Sequence, residues 1–181
     1  MNACGAVLVV EDDADVRRSA RIALTSLVER VELLESVEAL DEALAASAYD
    51  VVLLDMNFVA GVRSGAAGLG ALARVQAFDP TLAVVLMTAY GGVTLAVEAL
   101  KKGAVDFVLK PWRNDKLVAA VIAAARISQT RREVDNLPLD ALERTAIERA
   151  LTRHEGNISS AASALGLSRA ALYRRMSKFG L

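Results

Sequence analysis

The feature that most constrains this chain is a series of short, continuously apolar runs, each ending at a charged or hydroxyl residue. Ala6–Val10 meets Glu11, Asp12 and Asp13; Val51–Leu54 meets Asp55; Ala83–Met87 meets Thr88; Val105–Leu109 meets Lys110 and Pro111. A weaker run, Val31–Leu34, alternates as an edge strand does. Strands apolar on both sides belong to a sheet covered on both faces, and such sheets are parallel. The stretches between them, 14–29, 36–47, 67–77, 93–102 and 114–127, carry apolar residues at helical spacing. Ser36 and Asn114 have the character of helix starts. Five βα units of this size predict an α/β fold with a doubly wound, five-stranded parallel sheet.

In such sheets the functional site lies beyond the carboxyl ends of the strands, near the switch in strand order. That rule gathers Glu11, Asp12, Asp13, Asp55, Thr88 and Lys110 at one edge, although a hundred residues of sequence separate the first from the last. Crowded carboxylates repel one another unless a cation lies between them. Hard oxygen donors that leave positions open for water suit Mg²⁺. An ammonium and a hydroxyl beside such a cation suit a phosphoryl group, the first as a point charge and the second as a donor. The pattern reads as an aspartate that accepts phosphate, with catalysis supplied mainly by positioning and charge neutralisation.

The rest of the chain is short, basic and helical. Residues 1–129 hold 12 Lys/Arg against 16 Asp/Glu, whereas residues 130–181 hold 9 against 6. An acidic body with a basic tail predicts two units, with nucleic acid the partner of the second. The polar stretch 128–138 reads as the fraying end of the fifth helix plus a linker. Helices are expected over 139–154, 158–165 and 169–178, the last two joined by Gly166-Leu167-Ser168. There Gly166 permits a tight turn, Leu167 plugs the core and Ser168 caps the next helix. This is a helix-turn-helix layout. Ala171, Leu172 and Met176 are expected inward, leaving Ser168, Arg169, Tyr173, Arg174, Arg175 and Lys178 for DNA. Arg169 and Arg174, with Tyr173 beside them, are expected near bases, and Arg175 and Lys178 on phosphates. His154 reads as a helix C-terminal residue, and Cys4 and Trp112 as terminus and packing residues.

Val9-Val-Glu-Asp-Asp13, Val51–Asp55, Met87-Thr-Ala-Tyr90, Gly103–Phe107 and Lys110-Pro111 occur in the order and at the spacings of a known family. Residues 1–127 resemble the receiver domain of two-component response regulators, a flavodoxin-like fold, and those of the NtrC type in particular. The resemblance implies that Asp55 accepts phosphate from a sensor histidine kinase. It also implies Asp12 as a direct Mg²⁺ ligand, Glu11 acting through water, and a backbone carbonyl from Asn57. It further implies Thr88 and Phe107 as a switch pair, Lys110 as the phosphate-pairing lysine, and a cis Lys110–Pro111 peptide. Val59 and Arg63 stand where the family usually has Pro and Gly, in a loop at 56–67 lengthened by about five residues. Residues 139–181 resemble the Fis-type DNA-binding domain that ends NtrC-type regulators, a small all-α unit whose first helix makes a homodimer. The ATPase domain that usually stands between the two is missing, together with its Gly-x-x-x-x-Gly-Lys loop. The two-part layout instead resembles RegA/PrrA-type regulators.

The implied function is a transcriptional regulator whose dimerisation and binding to double-stranded DNA are controlled by phosphorylation of Asp55. Two other classes compete with it: a receiver acting through protein partners with a dimerising tail, and an aspartyl-nucleophile phosphatase. Against the enzyme, Asn57 stands where such phosphatases place a second catalytic Asp. One Cys and one His exclude a disulfide framework and a multi-histidine metal centre. With no signal peptide or membrane span visible, the expected location is the cytoplasm, away from any membrane.

Overall fold

The computed structural model describes residues 4–56, 66–89 and 93–181, the side chains of 93–96 excepted. The chain divides into two units, Met1–Arg132 and Glu133–Leu181. The first contains β1 (Cys4–Val10), α1 (Ala14–Leu24), β2 (Val28–Leu34), α2 (Leu40–Ala46) and β3 (Val51–Asp55). It continues with α3 (Ala66–Phe78), β4 (Ala83–Ala89), α4 (Val93–Lys101), β5 (Asp106–Lys110) and most of α5 (Asn114–Asp135). The second contains α6 (Leu139–Arg153), α7 (Ile158–Ala164) and α8 (Arg169–Phe179).

The strands form one parallel sheet in the order β2-β1-β3-β4-β5. The order reverses between β1 and β3, so the ends of those two strands flank the switch point. β3 is buried at every position because both faces of the sheet are covered. One face buries Val7, Val9, Leu53 and Val85 against Ala20 and Leu24 of α1 and Leu117, Val121 and Ala124 of α5. The other buries Leu8, Val10, Leu54 and Leu86 against Leu40 and Leu44 of α2, Leu72 and Val75 of α3, and Ala99 of α4. Each such side chain contributes about 1.5–3 kcal/mol when fully removed from water, so the central strands are the rigid platform on which the strand-end residues stand.

Three boundaries differ from those read in the sequence. The helix expected over 14–29 stops at Leu24, with the Thr25 hydroxyl returning to the Arg21 carbonyl at 2.6 Å. Val28 starts β2 instead, pairing with Cys4, and Leu27, Val31 and Leu33 pack on the core. Tertiary burial outweighs the local helical pattern there. Ser36 does not start a helix; its hydroxyl bonds the Glu38 carboxylate and lowers its pKa, and α2 begins at Leu40. α5 does not fray at 128 but continues to Asp135. Its polar residues are used rather than solvated. The fully buried Ser128 donates to the Asp50 carbonyl at 2.6 Å and accepts from Ala83 N–H at 2.8 Å. Arg132 bonds the Asp50 carboxylate at 2.9 Å and the Tyr49 carbonyl.

The second unit has its own core of Ile147, Ala150, Ala161, Ala162 and Leu172. The small residues on α7 let α6 and α8 approach closely. Among the described residues no helix is long and apolar enough to cross a membrane.

Candidate functional site

The carboxyl edge of the sheet brings the predicted acidic residues together. The carboxylates of Glu11, Asp12 and Asp55 each place an oxygen within 4.8 Å of the others. Glu11 is 1% exposed and Asp55 2%, whereas Asp12 is exposed. Lys110, at the end of β5, sets its Nζ 2.7 Å from Asp55 Oδ1 and 2.5 Å from Glu11 Oε2. One ammonium therefore spans two buried carboxylates. Burial pushes the Glu11 carboxyl up to about 7; the Lys110 hydrogen bond opposes this and the Asp55 charge adds to it. A single lysine does not neutralise three acids. Buried carboxylates held this close, with hard oxygen donors facing one another, fit a small divalent cation such as Mg²⁺.

Thr88 is fully buried on β4, one residue beyond the Met87 that pairs with Asp55, and its hydroxyl lies 3.4 Å from the Ala89 carbonyl. Phe107 pairs with Leu86 and packs on the α2-α3-α4 side of the sheet. Alternation along β4 puts Thr88 on that same side, with Val84 and Leu86. The Lys110–Pro111 peptide is cis, as expected. Asn57, with the rest of the loop at 57–65, lies outside the described residues, as does Tyr90.

Two site-forming residues, Arg17 and Gly68, were not singled out in the sequence, nor was the role of a third, Asp13. Asp13 is the N-cap of α1, accepting from Asp15 and Val16 N–H. An acid immediately before a helical pattern is a capping signal that was available. Arg17 donates to the carbonyls of Glu11 and Asp12 at 2.6 and 2.7 Å, fixing the backbone that carries both acids. Gly68 lies where a Cβ would come within 2.8 Å of Met56 Cα and 3.1 Å of the Asp55 carbonyl. Only glycine lets α3 approach the acceptor strand this closely.

In the second unit the turn is built as its residues predict. Gly166 has φ +66, and Ser168 Oγ accepts from Ala171 N–H at 3.2 Å. Asn157 caps α7 in the same way, accepting from Ser160 N–H, and His154 ends α6. Replacing Ser168 by Ala should cost about 1 kcal/mol, read as an earlier melting transition of this unit. An unchanged melt would remove the cap from the account. On α8, Arg169, Ala170, Tyr173, Arg174, Ser177 and Lys178 are exposed, while Leu172 is buried. At about 100° per residue the exposed six occupy one continuous face, with Lys178 at its edge. Arg175 lies outside it, and both Arg175 and Lys178 are paired with acids. Arg175 bonds Glu143 of α6, and Lys178 Nζ lies 2.6 Å from Asp140 and 3.9 Å from Glu143.

The response regulator receiver domain family matches residues 7–122. The chain belongs to the response regulators. The family described as bacterial regulatory protein, Fis family, matches residues 138–179, so only a few turns of helix separate the receiver from a Fis-type helix-turn-helix. The transcriptional regulatory protein FixJ of Bradyrhizobium diazoefficiens is 32% identical over 81% of this chain and 69% of its own length. The DNA-binding transcriptional regulator NtrC of Klebsiella pneumoniae is 31% identical over 76% of this chain, but over only 28% of its own length. The crystal structure of a response regulator receiver domain from Bacteroides fragilis, 37% identical, superposes with a TM-score of 0.62 over 67% of this chain and 97% of that one. This response regulator is thus a receiver joined to a helix-turn-helix in the manner of transcriptional regulators.

Proposed function

We propose that this response regulator takes a phosphoryl group from a histidine kinase onto Asp55, and that the modified receiver changes how the C-terminal unit dimerises and binds double-stranded DNA. The observation that carries the reading is the buried Asp55 carboxylate, 2.7 Å from Lys110 Nζ and beside Glu11 and Asp12. In the transfer, an Asp55 oxygen attacks phosphorus, the bond to the kinase's histidine nitrogen breaks, and the phosphoryl oxygens take over the Lys110 ammonium. Asp12, Asp55 and the Asn57 carbonyl would hold Mg²⁺ directly, and Glu11 would hold it through water. A bound divalent cation offsets charge on the incoming group. The chain's own residues position an acceptor and do not turn over a substrate.

Thr88 and Phe107 would carry the state outward. A phosphoryl oxygen draws the Thr88 hydroxyl away from its long contact with Ala89, and the vacated space admits the Phe107 ring. That is a two-state element biased by one new charge. Thr88→Ala should accept phosphate to the wild-type level yet lose most of the phosphate-dependent rise in dimerisation or DNA affinity. A fully retained rise would remove the switch.

For the second unit, the free face of α8 offers Arg169, Tyr173 and Arg174 to DNA. Leu137, Leu139 and Leu142, exposed by 42%, 79% and 38%, support a second copy of this chain as the partner at the start of α6. In this reading the protein works in the cytoplasm, where it meets its DNA. The test is an electrophoretic shift on genomic fragments, with and without acetyl phosphate and Mg²⁺. The expected result is a phosphate-enhanced shift with a two-fold symmetric footprint. Dimerisation without any shift would leave a receiver that works through protein contacts.

A further inference from the structure

α8 carries four cations, Arg169, Arg174, Arg175 and Lys178. The structure divides them into two pairs. Arg169 and Arg174 flank Tyr173 on the exposed face and are joined to no carboxylate among the described residues. Arg175 and Lys178 are joined to Glu143 and Asp140, both in the first turns of α6. The Arg175–Glu143 pair is the more protected, with side chains 40% and 27% exposed, against 51% and 62% for Lys178–Asp140.

Surface pairs of this kind add about 0–1 kcal/mol to stability, so a purely structural role for the two acids is small. Their effect on a polyanion is larger. Each phosphate neutralised by a protein cation releases condensed counterions and adds about 0.9 to the salt slope of binding. A cation already matched by a carboxylate contributes little to that slope, and the carboxylate itself repels phosphate.

We infer that Asp140 and Glu143 are specificity-determining residues, which silence two of the four cations on α8 and so hold down binding to DNA of arbitrary sequence. The inference rests on the reading of α8 as the DNA-contacting helix. It leaves affinity to Arg169, Tyr173 and Arg174, the residues placed to meet base edges, because phosphate contacts carry no sequence information directly.

The full chain is titrated with a short duplex of random sequence across about 50 to 200 mM salt. Asp140→Asn/Glu143→Gln should bind this duplex more tightly than wild type and with a steeper slope. Every further phosphate that a freed cation meets deepens the affinity loss across that salt range by a factor of about 3. Arg175→Gln/Lys178→Gln should leave the wild-type slope unchanged, since those cations are not on phosphates. Far-UV circular dichroism and melting of each variant show that the helices persist. Wild-type affinity and slope in a folded Asp140→Asn/Glu143→Gln protein would overturn the inference. So would a slope reduced by about two per copy in Arg175→Gln/Lys178→Gln, which would put both cations on the backbone. If wild type itself binds no duplex at any salt, the DNA reading falls and takes the inference with it. Where wild type does bind, an unaltered slope in Asp140→Asn/Glu143→Gln removes the inference alone.

Discussion

Asp55→Asn should take up no acid-labile phosphate from a kinase or from acetyl phosphate, and the wild-type chain should take up one per copy in the presence of Mg²⁺ and none in EDTA. The expected loss is complete because no other described carboxylate at this edge combines deep burial with Lys110 and a place at the end of β3. Glu11 is as buried and shares Lys110, but it stands beyond the end of β1, and its backbone is held by Leu34 and Arg17. The variant should also remain folded. It removes one of two negative charges packed against each other, so the fold loses a repulsion together with an ion pair. Stoichiometric labelling of folded Asp55→Asn would move the acceptor elsewhere.

Asp50→Ala should destabilise the receiver by about 2–4 kcal/mol, measured as a lower urea midpoint at constant slope. Asp50 is a node where the start of β1, the start of β3 and the end of α5 meet. Its Oδ2 accepts from Gly5 and Ala6 N–H at 2.8 and 3.0 Å, and its Oδ1 accepts from Arg132. Truncation leaves two amides without their acceptor and Arg132 with only its remaining partners, the Tyr49 carbonyl and the more distant Asp79. Burial alone would raise the Asp50 carboxyl; the N–H of Ala6, Arg132 and the N–H of Gly5 outweigh it and hold the carboxyl below its usual range. A depressed folded pKa means stability that is complete above the unfolded value of about 3.9 and is lost as pH falls through the folded one. The difference between wild type and Asp50→Ala should therefore be constant near neutrality and shrink below about pH 4. A midpoint within experimental error of wild type at pH 7 would show that the node is ornamental.

The acceptor edge was readable because its residues announce themselves locally: a charge or hydroxyl at the end of an apolar run needs no long-range information. The family description then matched 7–122 and 138–179. What the sequence did not show depends on residues that meet only in three dimensions. Gly68 looks like one glycine of several until the backbone at Asp55 and Met56 is seen pressed against it. Ser128 and Arg132 read as solvated polar residues because their partners, Asp50 and Ala83, are 45 to 82 positions away. The pairing of Arg175 with Glu143 and of Lys178 with Asp140 is invisible in a linear reading, since the partners stand 32 and 38 positions apart. The misplaced end of α1 has the opposite cause: a local helical period continued past the point where the sheet needed an edge strand.

The core of the C-terminal unit is small, and three of its five fully packed residues are alanines. So small a core, even with the partly buried Leu151, Ile158, Leu165, Leu167, Met176 and Phe179 packed against it, leaves less thermodynamic reserve than a larger one. Idle copies should open more often than those held by a ligand. A ligand that binds only the folded form adds about 2.7 kcal/mol at a hundred times its dissociation constant. Proteases cut the open form, so copies seated on DNA should outlive those without it. Abundance in the cell would then follow the number of occupied sites, and degradation would clear the surplus without any dedicated signal.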